Sequence, residues 1–311
     1  MYNERVGNLE QRYYSLSEFF RKEYGEKVYK LSLDGGFSCP NRKKGRGCLF
    51  CSEKGSGEFT SGRIPIKEQI VDQKKRVAHK KVKKYFAYFQ NFTNTYGRLE
   101  DLRVLYEEAL IQEDIVGLSI ATRPDCLGPD VLDLLEGLNK ETHLIIELGF
   151  QTSKEETARF IRRGYPSPVF YQAVRDLSER KIKVLAHIIA GLPYEDKKDF
   201  LQTIEDIKGL PLWGIKFHSL YIQRDSDLYD TYKTTPFPLL EKEDYIDWVC
   251  DALERIPPYW VVNRLTGDAD KKLLYLPKWS ADKLSVLGSI QRELKTRGST
   301  QGRYFRKGIR D

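Results

Sequence analysis

The chain has little of what would place it outside a reducing compartment or in a membrane. Five cysteines in 311 residues are an odd and sparse set, which excludes a disulfide framework. No apolar run approaches the roughly 20 residues that cross a bilayer, and the opening MYNERVGNLEQRYY has no signal-peptide core. A cytoplasmic protein without membrane association is expected. Low-complexity linkers are missing, and there is no internal repeat beyond an alternation of strands and helices.

What is present is concentrated in one stretch, FSCPNRKKGRGCLFC, where Cys39, Cys48 and Cys51 follow a short strand-like run from Lys27 to Leu33. Three thiolates on one loop can hold three irons of a [4Fe–4S] cluster, which usually has four cysteine ligands, and the fourth iron is then open. Pro40 fixes the backbone after the first cysteine, while Gly45 and Gly47 let the loop curl. Arg42, Lys43, Lys44 and Arg46 favour thiolate over thiol, and Leu49 and Phe50 offer apolar cover. A structural zinc site is the competing reading, but it needs four ligands. The loop contains no histidine, His79 is distant in sequence, and Cys126 and Cys250 are the remaining candidates.

The net charge of +7 is unevenly spread. Lys74, Lys75, Arg76, Lys80, Lys81, Lys83 and Lys84 form one basic segment. The tail carries Arg292, Lys295, Arg297, Arg303, Arg306, Lys307 and Arg310 with Tyr304 and Phe305 interleaved. Basic groups beside aromatics suit a polyanion with stackable bases, whereas a solvated helix face and a frayed tail would look the same.

Strand-like runs recur at Lys27–Leu33, Lys84–Phe92, Gly117–Thr122, His143–Gln151, Lys183–Gly191 and Trp213–Ile222, with helical patterns between them. That rhythm predicts an α/β fold with a parallel sheet, curved into a partial barrel. Loops after the strands then share one face, which gathers the cysteine loop, Gln90–Tyr96, Thr122–Asp125, Gln151, Gly191–Pro193 and Gln223–Arg224 on a rim. Past Ile222 the rhythm weakens. A helix at Asp244–Arg255, a break at Pro257 and Pro258, a short strand at Tyr259–Val262 and a helix at Ser280–Lys295 are expected. Residues 1–255 are read as the core barrel with its N-terminal segment, and 256–311 as a C-terminal extension with a basic tail.

The cysteine spacing, with ATRPD (Ala121–Asp125), ELGFQT (Glu147–Thr152), RRGY (Arg162–Tyr165) and HIIAGLPYED (His187–Asp196), resembles the radical S-adenosylmethionine (SAM) superfamily. Within it the chain is similar to the elongator-catalytic-subunit-like branch and to the YtqA/YhcC (MnmL) type. The resemblance implies a TIM-like partial (β/α)6 barrel in which Cys39, Cys48 and Cys51 bind a [4Fe–4S] cluster. The open iron would chelate SAM, and an electron would cleave it to methionine and a 5′-deoxyadenosyl radical. By motif position Gln151 and Arg163 are candidate SAM contacts, Arg163 through the SAM carboxylate. Thr93 and Asn94 stand where relatives usually carry a glycine-rich segment. An arginine at a helix end paired to Glu155 or Glu156 is the local alternative for Arg163. The elongator subunit carries an acetyltransferase domain after its barrel, whereas the stretch after Arg255 is short here, so acetyl transfer is not expected.

The resemblance further implies tRNA as partner and conversion of a wobble-uridine 5-carboxymethylaminomethyl group to 5-aminomethyl. A reductant protein such as flavodoxin or ferredoxin would supply the electron. A radical enzyme acting on a small metabolite and a zinc-bearing nucleic-acid module are the other classes weighed. His187 and His218 on strands are candidates to face substrate and move protons, against a core role with satisfied hydrogen bonds. Arg264, with Tyr165, Tyr194 and Asn263, is a candidate for the substrate opening. Cys126 and Cys250 read as small buried residues.

Overall fold

Six of the predicted runs become strands because each presents its apolar side chains to covering helices and its polar ones to the opposite face. The structure, a computed structural model, describes residues 11–43, 45, 47–55 and 59–306. Strands β1 (Val28–Leu33), β2 (Lys84–Phe89), β3 (Ile115–Thr122), β4 (His143–Gln151), β5 (Lys183–Ala190) and β6 (Gly214–Ser219) pair in chain order, all parallel. Leu31, Ala87, Leu118 and Leu144 lie side by side across β1 to β4. Leu33, Phe89, Ile120, Ile146 and Val184 form the next row. Both rows are fully buried in the main core, which also includes residues of Ile66–Val77, Leu99–Leu110, Pro129–Glu141, Ser167–Glu179 and Lys197–Ile207. The result is the expected parallel half-barrel, with strands apolar on the helix side.

Three further strands are β7 (Ile222–Gln223), β8 (Val261–Arg264) and β9 (Leu274–Leu276). The run read as one strand through Ile222 is broken after Ser219, and β7 leaves to pair antiparallel with β9. β8 joins β6 in parallel as the seventh strand of the main sheet. The boundary expected between residues 255 and 256 therefore falls inside one sheet. The contact is close: a Cβ on Gly214 would lie 2.4 Å from the Val261 carbonyl oxygen, so glycine is required where β6 meets β8.

The N-terminal end of the barrel is closed by the helix Leu16–Tyr24, which the sequence reading did not identify. Ser15 caps it, its Oγ accepting from Glu18 N–H at 3.2 Å, and Gly25 ends it at φ 72°. Phe19 and Phe20 pack with Phe86, Ile145, Leu185 and Val261 as a floor, while Val262 N–H donates to the Tyr14 carbonyl at 2.8 Å. Phe20 is 2% exposed, so Phe20→Ala is expected to cost about 3–5 kcal/mol in urea unfolding. A loss no greater than that of a surface substitution would mean that the helix does not support the barrel.

Candidate active site

The loop after β1 is anchored before its cysteines are reached. Asp34 exchanges backbone hydrogen bonds with the Gln69 side-chain amide at 2.8 and 2.9 Å, and its carboxylate accepts from Gly36 and Asn91. Pro40–Lys43 form one helical turn in which Arg42 N–H donates to the Cys39 carbonyl. From that turn Asn41 donates to the carbonyls of Arg162 at 2.8 Å and Arg163 at 3.1 Å. The next residue, Gly164, has φ 83°, and a Cβ there would stand 2.3 Å from Asn41 Oδ1. The glycine of RRGY is thus needed for both backbone and space. Farther along, Leu49 N–H donates to the Ile161 carbonyl and the Leu49 carbonyl accepts from Leu228 N–H.

So held, Cys39, Cys48 and Cys51 line one cavity of about 200 Å³. Asn41 Nδ2 lies 3.5 Å from Cys48 Sγ. A hydrogen bond from Cys51 lowers the Cys48 thiol to about 7, helped by the Arg123 and Arg42 guanidiniums against the effect of burial. The same shared bond, with burial, raises Cys51 well above its ordinary value. Among the described residues no three His, Cys, Asp or Glu side chains are placed to hold a single metal ion. Three soft sulfur donors on one cavity wall, with cations offsetting their charge, fit a cluster that ligates each thiolate at a different iron.

Deeper in the barrel, one carboxylate collects side chains from five other strands. Glu147 Oε1 accepts from Lys30 Nζ and from Ser119 Oγ at 2.6 Å. Oε2 accepts from Lys216 Nζ at 3.0 Å and Tyr88 OH at 3.1 Å, and lies 2.7 Å from His187 Nε2. Burial would raise the Glu147 carboxyl, but Lys216, Lys30 and His187 hold it well below its ordinary value. Burial lowers Lys216 to about 7, with Arg264 and Lys30 repelling its charge and Glu147 opposing the shift. Burial and Lys216 also lower His187 to about 4 and His218 well below its usual range, so both rings are neutral near pH 7. Sequence reasoning missed Lys30, Tyr88, Ser119, Glu147 and Lys216. The available signal was a charged residue in the middle of three otherwise apolar strands.

The other expected residues divide. Gln151 ends β4 at φ 66°, after a register shift, and lines the cavity, as do His187, His218, Arg264 and Tyr165. Thr93 lines it too, and its buried Oγ1 has no hydrogen-bond partner among the described residues. Asn94 is not in the cavity wall: its Nδ2 faces the carbonyls of Phe89, Asn91 and Ala121 and binds the loop together. Arg163 lines the cavity as well, and the pairing with Glu155 weighed as its local alternative is present at 3.2 Å. Its donors go to Tyr165, Phe150 and Thr152 carbonyls, to Ser167 Oγ and to Glu155 Oε1, so it braces the end of β4. Tyr194 is exposed and packs edge-on to Phe160. Cys250 is buried and Cys126 half-buried.

The basic segments lie away from the cavity mouth. Ala78–Lys80 directly precedes β2, which places it at the N-terminal end of the parallel strands, and Lys74, Arg76 and Lys84 pair with Asp114, Asp72 and Glu26. In the tail, Arg297 is bound by Asp247, Asp251 and Glu293, while Gln301 donates to the carbonyls of Pro257 and Trp260, just before β8. Lys44, Arg46, Lys307 and Arg310 lie outside the described residues. A different basic and aromatic group stands at the rim: the Arg224 guanidinium lies 5.2 Å from the Tyr275 ring and 6.0 Å from Tyr229, next to cavity-lining Gln223. No described helix is long and apolar enough to cross a membrane.

Comparison with known proteins bears on this cavity directly. A model described as the radical SAM superfamily matches residues 37–207, and one described as the radical SAM C-terminal domain matches 212–296. "Uncharacterized protein YtqA" of Bacillus subtilis (strain 168) is 44% identical over 306 residues, covering 96% of this chain and 95% of its own. "Protein YhcC" of Escherichia coli (strain K12) is 35% identical over 281 residues, covering 89% and 90%. Among solved structures, the archaeal Methanocaldococcus infernus Elp3 superposes with TM-score 0.67 at 14% identity, covering 88% of this chain and 64% of that one, a likeness of fold.

The carboxylate at the barrel centre makes a stability prediction. Glu147→Gln leaves Lys30 and Lys216 buried without their counter-charge and is expected to cost about 3–5 kcal/mol at pH 7. Adding Lys216→Met should recover roughly 1 kcal/mol or more. Because the Glu147 carboxyl is lowered on folding, its contribution is complete above the ordinary carboxylate range and disappears as pH falls through the folded value. Urea unfolding from pH 7 down to the acid range should therefore show a slope in the wild type that is reduced in Glu147→Gln; equal slopes would contradict the assignment.

Proposed function

The chain belongs to the radical SAM superfamily, and from that we propose that it is a radical SAM enzyme whose Cys39, Cys48 and Cys51 hold a [4Fe–4S] cluster. The observation that carries the reading is the convergence of three cysteines and polar residues of the strands β2 to β8 on one cavity. When bound, the cluster and SAM supply radical chemistry by reductive cleavage of SAM. Arg42 and Arg123 offset thiolate charge beside the cluster ligands. Gln151 and the unpartnered Thr93 hydroxyl present polar groups to SAM. Arg163 acts through position, keeping the β4 end in place, and Asn94 does the same for its own loop. His187, His218 and Arg264 face the substrate from deeper in the barrel.

For the substrate we propose tRNA carrying 5-carboxymethylaminomethyluridine at the wobble position, converted to the 5-aminomethyl form. The resemblance to the elongator-like branch motivates this, and the rim supports it, because Arg224 between Tyr229 and Tyr275 offers charge and stacking surface beside the cavity. A flavodoxin- or ferredoxin-type protein is the proposed electron donor. The second reading, a small metabolite as substrate, is favoured by the position of the two densest basic segments at the far end of the strands.

Anaerobically reconstituted protein should bind iron and give a reduced-cluster EPR signal that shifts on adding SAM, and each Cys→Ala substitution at the three positions should abolish it. Absence of iron from the wild type sinks the cluster assignment. Gly164→Ala should lower iron per chain several-fold while leaving far-UV dichroism unchanged, because it dislodges Asn41 from the cysteine loop.

With SAM, reductant and undermodified tRNA, the wobble nucleoside should lose the mass of its carboxymethyl group, and Arg224→Ala or Tyr275→Ala should weaken stimulation by tRNA. Production of 5′-deoxyadenosine that tRNA neither stimulates nor follows with a mass change would favour the metabolite reading.

A further inference from the structure

The wall of the cavity formed by β6 and β8 has more positive charge and more hydrogen-bond donors than the protein itself uses. Glu147 already accepts from both lysines, Ser119 and Tyr88, besides its contact with His187, so it has no capacity left for another cation. Among the described residues Arg264, at the end of β8, has only Asp268 within ion-pair reach, at 3.6 Å, and Asp268 is bound more closely by Lys283 at 2.9 Å. Lys216 and Arg264 repel each other across the cavity, as the depressed Lys216 reflects. His218 lies two residues beyond Lys216 on the same strand face, lines the cavity, and makes no hydrogen bond among the described residues. Above it, Ser219 and Gln223 are each 3% exposed and line the cavity, yet Ser219 Oγ and Gln223 Nε2 are buried without a partner among the described residues. Donors without acceptors, beside cations that share their carboxylates with other cations, are costly unless a ligand satisfies them. An incoming anion would relieve both at once.

We propose that Lys216, His218 and Arg264, with Ser219 and Gln223 above them, form a receptor for a carboxylate carried by the substrate, and that this receptor determines which molecules are accepted. A planar carboxylate suits the guanidinium fork of Arg264, one oxygen to each arm, and leaves a further lone pair on each oxygen for Lys216 or the neutral His218 N–H. The inference deepens the proposed function, since the 5-carboxymethylaminomethyl group carries such a carboxylate and the 5-aminomethyl product does not. Substrate and product would then be told apart by the loss of one charge.

The test uses cluster-reconstituted protein with SAM and measures binding by calorimetry, without turnover. Two acids are compared with their primary amides, which keep shape but not charge: 5-carboxymethylaminomethyluridine and N-benzylglycine. The wild type should bind at least one acid about tenfold more tightly than its amide, the preference of a charge-assisted pair over a neutral one. Preference confined to the nucleoside assigns the carboxylate to modified uridine, and equal preference in both pairs assigns it to a small amino acid. Arg264→Gln and His218→Gln should each shrink the preference while leaving iron content unchanged, and Arg264→Lys should keep part of it. No acid-over-amide preference in the wild type, or a preference undiminished in both Arg264→Gln and Lys216→Met, overturns the proposal. Failure of the tRNA reading is a separate result: clear acid preference with no mass change in tRNA leaves the receptor standing, and tRNA turnover without acid preference removes the receptor alone.

Discussion

A single buried carboxylate makes this sheet a barrel. In a flat sheet the first and sixth strands would lie roughly 24 Å apart, five interstrand spacings. Here Lys30 from β1 and Lys216 from β6 both reach Glu147 on β4, with Tyr88, Ser119 and His187 arriving from β2, β3 and β5. The six strands must therefore curl around one point, and a slip of one residue in any of them would turn its contributing side chain toward the helices. Register, curvature and cavity depth all follow from that meeting of side chains.

Burying these charges is unfavourable by itself, and a hydrocarbon interior of the same volume would be no less stable. What the polar interior adds is electrostatic order in the cavity. It keeps two histidines neutral, keeps one lysine close to discharge, and leaves positive potential on the β6 and β8 side. The cysteine loop is arranged by a different device, Asn41 fitted against the glycine of RRGY, so the three cysteines and the barrel interior are positioned independently. The aromatic floor beneath, built from Phe19, Phe20 and Phe86, separates both from solvent at the N-terminal end.

Much of this was legible in the chain because the outward face of each strand is strongly apolar. The rows through Leu31 and Leu33 produce the alternations that marked the strands, and the cysteine triad stood out against a cysteine-poor background. The inward face was harder to read. A lone Lys30, Glu147 or Lys216 resembles an interruption in a strand, and only their convergence in space makes them one group. Arg163 carries both of its readings at once: it lines the cavity, as its motif suggested, while five local acceptors, Glu155 among them, hold its guanidinium. The seventh strand was read as an appendage because two prolines and a weak β pattern precede it, and its pairing with β6 depends on Gly214, whose role is visible only beside Val261. For the basic segment before β2, strand direction alone would have placed it at the far end of the barrel.

The closed floor has a meaning for binding. With Phe19, Phe20 and Phe86 packed beneath the strands, a molecule seated against Glu147 and Lys216 would lie toward the closed end of the cavity, with the cysteine loop at the strand ends above it. Helix Leu16–Tyr24 thereby couples a feature of folding to the depth at which a ligand can sit.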